Sequence, residues 1–203
     1  MAVSYLRDTF GDGLWELDLP VLRQAGADKV RLMVEMADKR INSPLTSSLG
    51  RLFDGVAAIC GLRSRVSFEG QAAMELEMAA VGESHAAYDF AWEEGTPFRI
   101  LPAPIVRGVV ADIGRGAAVS AISVKFHNTL IRMFSDLCGR IRAQRGLNRV
   151  VLSGGVFQNT RLLTGLIPAL AARGFEVYSH RRVPANDGGI ALGQAAIAAK
   201  SME

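Results

Sequence analysis

A chain of 203 residues, 49% of them hydrophobic, is long enough to bury a core as one large domain or two small lobes. Its 23 basic and 20 acidic residues are dispersed, for a net charge of +3, so the concentrated basic stripe that would make nucleic acid a partner is missing. No apolar run approaches the roughly 20 residues that span a bilayer, no basic-then-apolar signal opens the chain, and Cys60 and Cys138 form no CxxC pair, so a cytoplasmic protein with buried, reduced thiols and no membrane partner is expected.

Residues 2–80 read as helices: Ala2 to Phe10, about Val21 to Ile41, Ser47 to Cys60, and Gly70 to Ala80, divided by Gly, Pro and Asn. In the second, Leu22, Ala25, Val30, Met33, Val34 and Ala37 recur at helical spacing between charged residues, as on an amphipathic helix lying on a core. From Ala86 to Ile100 the pattern turns to Tyr88, Phe90 and Trp92 in alternation, then Gly95-Thr96-Pro97, which predicts a hairpin. Pro102-Ala103-Pro104 can start another helix, and Ala117 to Arg145 carries a long apolar face through Val124, Leu130, Ile131, Phe134, Leu137 and Ile141. The remainder has a sharper grammar. Val150-Val151-Leu152 is a short β-branched run ending in Ser153-Gly154-Gly155. A helix from about Asn159 to Ala172 is stopped by Gly174, Phe175 to Tyr178 forms a second strand, and Asn186-Asp187-Gly188-Gly189 opens a final helix. Such alternation of strand, glycine turn and helix predicts an α/β fold with a parallel layer, the two glycine turns lying at the edge where open sheets bind ligands.

Glycines after a strand let backbone approach a ligand closely, and N–H groups opening the next helix offer partial positive charge to a phosphate. Ser153-Gly154-Gly155 suits that task, and equally a tight turn with no ligand. The side-chain amides of Gln158 and Asn159 could bond a base, ribose or phosphate; alternatively Asn159 caps a helix. Asp187, beside two glycines at a helix start, is either a cap or a hard oxygen ligand for a divalent ion. Asp54 is either solvent-facing or an acceptor at a cleft, where a ribose diol would use it, and Glu69 with Gly70 stands at a loop-to-helix junction open to close approach. His85, His127 and His180 are far apart and in no metal-binding spacing, so each is expected at the surface or in the core.

Four segments in order, Ser43-Pro44-Leu45-Thr46-Ser47-Ser48-Leu49-Gly50-Arg51-Leu52-Phe53-Asp54, Phe68-Glu69-Gly70-Gln71-Ala72-Ala73, Ser153-Gly154-Gly155-Val156-Phe157-Gln158-Asn159 and Asn186-Asp187-Gly188-Gly189-Ile190-Ala191-Leu192-Gly193-Gln194, resemble the HypF-type carbamoyltransferases that mature nickel–iron hydrogenases. The resemblance covers essentially the whole chain. It implies the C-terminal lobe of an actin/Hsp70/sugar-kinase-like (ASKHA) domain with a helical N-terminal segment, a fold shared with threonylcarbamoyl- and O-carbamoyltransferases. Residues 1–85 would line the nucleotide cleft, and residues 86–203 would form the lobe carrying both glycine turns. The implied chemistry takes carbamoyl phosphate and ATP to carbamoyl-adenylate. The carbamoyl group then passes to the C-terminal cysteine of a HypE-like acceptor, on the way to the cyanide ligand of the hydrogenase iron. By position, Asp54 would hold the ribose hydroxyls, Glu69 and Gly70 would line the nucleoside pocket, Ser153, Gly154 and Gly155 would face the phosphates, Asn159 would contact the nucleotide, and Asp187 would ligate a divalent metal.

The sequence also departs from that family. Its members carry a metal-binding histidine pair, an acylphosphatase-like domain, zinc-finger motifs and an adenylate-making domain, and this sequence holds none of them. The resemblance therefore implies a fragment, expected to be inactive alone. It would be completed by the missing N-terminal part of its domain, with Asp187 one ligand of an iron, zinc or magnesium site in the complete protein. No catalytic residue is expected in the fragment itself. An apolar face left uncovered would favour a homodimer. Two other readings stay open: a non-catalytic module binding nucleotide or protein, and part of a carbamoyltransferase with another acceptor.

Overall fold

The computed structural model describes residues 1–95 and 97–202, so Thr96 of the expected hairpin turn lies outside the described residues. It is a mixed helix and strand structure that divides into two compact units, residues 1–129 and 130–203. Among the described residues no helix is long and apolar enough to cross a membrane.

The first unit is largely helical. Helix α1 (Ala2–Phe10) leads through a short 3-10 helix (Gly11–Glu16) to α2 (Pro20–Ala25) and α3 (Ala27–Asp38). The single helix expected from Val21 to Ile41 is thus two, because Gly26 at φ 80° and ψ 148° leaves the helical region between them. Helix α4 (Leu49–Ile59) begins at Ser48, whose hydroxyl accepts the Arg51 N–H at 3.3 Å, and buries Leu52, Phe53, Val56 and Ile59 on one face. Its Gly55 meets α1 so closely that a Cβ there would lie 2.7 Å from the Tyr5 ring. Helix α5 (Gln71–Ala79) starts after Gly70, which is left-handed at φ 77°.

The hairpin is shorter than its pattern predicts: β1 (Ala91–Glu93) pairs antiparallel with β2 (Arg99–Leu101). Tyr88 lies before it, and its N–H donates to the Thr129 hydroxyl at 2.8 Å rather than to a strand. The tyrosine is buried against α6 (Ala103–Gly114), where a Cβ on Gly108 would come within 2.3 Å of its ring. Helix α7 (Val119–Arg145) contributes to both units. Its Phe126 meets Phe53 edge-on, ring centres 5.0 Å apart, and both are fully buried, each worth about 1.5–3 kcal/mol of apolar transfer.

In the second unit β3 (Arg149–Leu152) and β4 (Glu176–Ser179) pair in parallel, with α8 (Thr160–Ala171) between them in sequence. Alternation of strand side chains sends Leu152, Val150 and Val177 toward Leu166, Leu170 and Phe175, while Val151 and Tyr178 remain exposed. Gly165 of α8 lets the helix approach Ile131, which would lie 2.3 Å from a Cβ at that position. Arg173 closes the helix end by donating to the Ser135 carbonyl at 2.6 Å and pairing with Asp136. The final helix, α9 (Ile190–Ser201), buries none of its residues.

Candidate functional site at the glycine turns

Register builds the site. Leu152 and Ser179 are the last paired residues of β3 and β4, so Ser153 and His180 leave the strands side by side, with Ser153 Oγ 2.8 Å from His180 Nε2. Gly154 follows at φ 102°, ψ 156°, a conformation closed to most side chains. Its N–H donates to the Ala185 carbonyl at 2.9 Å, which joins the first glycine turn to the segment entering the second. Gly155 then opens a 3-10 helix (Gly155–Gln158) beside Asn186.

The second turn owes its glycines to a close passage. A Cβ on Gly189 would lie 2.8 Å from the Pro184 carbonyl oxygen, and one on Gly188 would lie 2.9 Å from the Pro184 ring. The Asn186 side chain accepts the Gly188 N–H at 3.1 Å and caps the 3-10 helix Asp187–Gly189, leaving Asp187 exposed at its start. Asn159 is buried, and its side-chain oxygen accepts the Leu162 N–H at 2.8 Å as the N-cap of α8. A cavity of about 230 Å³ flanks the edge, lined by Phe157, Gln158, His180 and Pro184 among others.

The residues singled out in the first unit are arranged differently. Asp54 is half-buried on α4, 3.3 Å from Arg51, and borders a cleft of about 280 Å³ whose walls include Lys29, Arg51, Arg63 and Arg65. Two of these cations are already paired, Arg51 with Asp54 and Arg63 with Glu75. Glu69 is exposed and does not line that cleft, and Gly70 supplies the left-handed residue before α5. Gln71, in the same motif, accepts the Ser67 N–H at 2.7 Å and donates to Glu75, which is bonded to Arg63. Ser153, Gly154, Gly155, Asn159 and Asp187 therefore share one unit, while Asp54, Glu69 and Gly70 belong to the other.

Metal binding finds little support in these residues. Among the described residues no three His, Cys, Asp or Glu side chains gather closely enough to hold an ion, and one exposed carboxylate binds a divalent cation poorly. His127 is fully buried between Phe53 and Phe126 with Nδ1 2.8 Å from the Ser123 carbonyl, so it serves packing. Burial pushes the Cys60 thiol up to about 12, which leaves it unreactive.

Two groups escaped sequence reasoning. His180 stood as an unassigned histidine, although its place directly after the second strand mirrors that of Ser153 after the first. The other is Asp112, buried and bonded by Tyr88 (2.9 Å), Lys125 (3.0 Å) and Arg115. Burial pushes its carboxyl up, but the three hydrogen bonds together outweigh burial and hold it below the usual carboxylate value. These partners are 24, 13 and 3 residues away, a separation that leaves no local pattern.

The chain matches the family described as "Carbamoyltransferase, Kae1-like Domain, second subdomain" over residues 1–194. It is 42% identical over 183 residues to Carbamoyltransferase HypF of Rhizobium leguminosarum bv. viciae, an alignment covering 90% of this chain and 23% of the relative. The crystal structure of full-length HypF in its phosphate- and nucleotide-bound form superposes with a TM-score of 0.87 at 42% identity, covering 99% of this chain and 25% of that one. HypF of T. kodakarensis shares the fold, with a TM-score of 0.80 at 24% identity over 97% of this chain and 26% of that one. The chain thus spans about a quarter of the length of the HypF proteins named here.

Proposed function

This chain belongs to the HypF family of carbamoyltransferases, and from that premise we propose that it supplies one wall of a nucleotide site used in carbamoyl transfer. One observation carries the reading: the Gly154 N–H to Ala185 carbonyl bond sets the Ser153-Gly154-Gly155 and Asn186-Asp187-Gly188-Gly189 turns side by side at the carboxyl edge of a parallel strand pair. The relative solved with phosphate and nucleotide bound supports it.

In this reading the fold is the C-terminal lobe of an ASKHA domain, residues 1–85 line the nucleotide cleft, and residues 86–203 carry the two turns. Asp54 takes the ribose hydroxyls, Glu69 and Gly70 the nucleoside, and Ser153, Gly154 and Gly155 the phosphates of ATP or of carbamoyl-adenylate. Asn159 keeps its cap and contributes to the nucleotide wall through its amide. The thiolate of a HypE-like acceptor's C-terminal cysteine attacks the carbamoyl carbon, a C–S bond forms, and AMP leaves. Asp187 would add one oxygen to a divalent metal in a complete HypF protein, where the remaining ligands would have to come from residues outside this chain. The bare sides of α9, with Ile190, Leu192 and Ile197 exposed, meet the rest of that domain or a second copy. The setting is cytoplasmic.

Calorimetric titration of ATP and AMP into the chain, native and Asp54→Ala, tests the nucleotide half of the proposal. Binding lost in the variant supports it; absence of binding in both counts against it. Transfer to a HypE-like acceptor on adding the remaining part of a HypF relative, carbamoyl phosphate and ATP tests the rest. Verified association and nucleotide binding without transfer would favour a non-catalytic module.

A further inference from the structure

One side chain beside the first glycine turn has no role in the reading above. Ser153 and His180 leave paired strands at the same edge, 2.8 Å apart from Oγ to Nε2, and both are exposed. Among the described residues no carboxylate bonds the other ring nitrogen, so the pair lacks the orienting acid of a nucleophilic triad. Its chemistry is that of a hydroxyl whose single proton can point one of two ways.

We propose that His180 is a positioning residue for the Ser153 hydroxyl, and that proton occupancy at Nε2 decides whether this hydroxyl donates to a phosphate held on the first glycine turn. The proposal rests on the nucleotide reading. With Nε2 bare, the ring accepts the Ser153 O–H, and the serine offers an anion only lone pairs. When a proton is added to a ring whose neutral form carries its hydrogen on Nδ1, Nε2–H donates to Oγ, and the hydroxyl proton turns outward to a phosphate oxygen; the imidazolium also adds positive charge. Binding a phosphate and binding a proton at His180 therefore favour each other.

The neighbouring charges do not duplicate this switch. Arg181 and Arg182 are exposed on the same loop, and Asp187 is exposed on the second turn. Apart from His180, the flanking cavity is lined by residues without titratable side chains, Leu152, Phe157, Leu163 and Pro184 among them. Histidine is the one side-chain type among these whose ordinary range spans neutrality.

The test titrates ATP calorimetrically into the native chain, His180→Gln and His180→Ala between about pH 5.5 and about pH 8, and records ring nitrogen-15 shifts of His180 with and without Ser153→Ala. Protonation of ATP is common to all forms, so the ratio of native to variant isolates His180. The native chain should lose about tenfold in affinity as pH rises over this range relative to His180→Gln, whose carboxamide offers an N–H donor at every pH and does not titrate. His180→Ala should bind weakly at every pH, and Ser153→Ala should move the ring shifts. A native profile parallel to that of His180→Gln, or ring shifts indifferent to Ser153→Ala, overturns the proposal while nucleotide binding stands. Failure of every form to bind ATP overturns the nucleotide reading and the role of His180 with it.

Discussion

Around Asp112, in the first unit, three donors converge on one buried carboxylate, whereas at the edge of β3 and β4, in the second, the Ser153 hydroxyl, the His180 ring and the Asp187 carboxylate are exposed. Polar groups spent on one another fix a core; polar groups left at a surface edge remain open to a ligand. The difference separates side chains whose loss should cost stability from exposed side chains whose loss should weaken binding with little cost in stability.

Phe53→Ala strikes the closed region hardest. It empties a fully buried site beside Phe126 and His127 and should lower stability by about 3–5 kcal/mol in urea unfolding. Gly189→Ala presses a Cβ toward the Pro184 carbonyl, 2.8 Å away, and should cost up to about 3 kcal/mol while removing nucleotide binding. A variant that binds normally would break the assignment of the second turn. Asp112→Asn should cost about 1.5 kcal/mol near neutral pH by disturbing a charged hydrogen-bond network. Its pH dependence sharpens the contrast. The Asp112 carboxyl titrates lower folded than unfolded, so its contribution is full above the ordinary aspartate value of 3.8 and is lost as pH falls through the folded value. Acid unfolding of Asp112→Asn should lack that part of the slope.

At the open edge the stability effects shrink. Asn159→Ala removes the α8 cap and should cost about 1 kcal/mol. Asp187→Ala, at an exposed position, should change stability by less than about 0.5 kcal/mol, so any effect it has must appear in ligand or metal binding measured in a complete HypF relative.

Much of this division is legible in the amino-acid order. Helix α1 has the predicted bounds, and the alternation of strand, glycine turn and helix after Arg149 is found as read, because Gly154, Gly174 and Gly188-Gly189 punctuate it locally. Gly26 hid its effect: a glycine inside an apolar period can sit in a helix or break one, and here its φ of 80° breaks it. The aromatic alternation from Tyr88 to Trp92 suggested a longer strand than exists, since the Tyr88 ring is claimed by Asp112 and its N–H by Thr129. The pairing of His180 with Ser153 is hidden for a related reason. Its partner is set by parallel register with a strand 27 residues away, and register is a property of packing.

The central claim is that the two glycine turns face a nucleotide phosphate. Backbone amide nuclear magnetic resonance of the chain titrated with ATP addresses it most directly. The account predicts that the amides of Ser153 to Gly155 and of Asp187 to Gly189 shift together and saturably, with those around Asp112 unmoved. Saturable binding that leaves both turns unperturbed would contradict it.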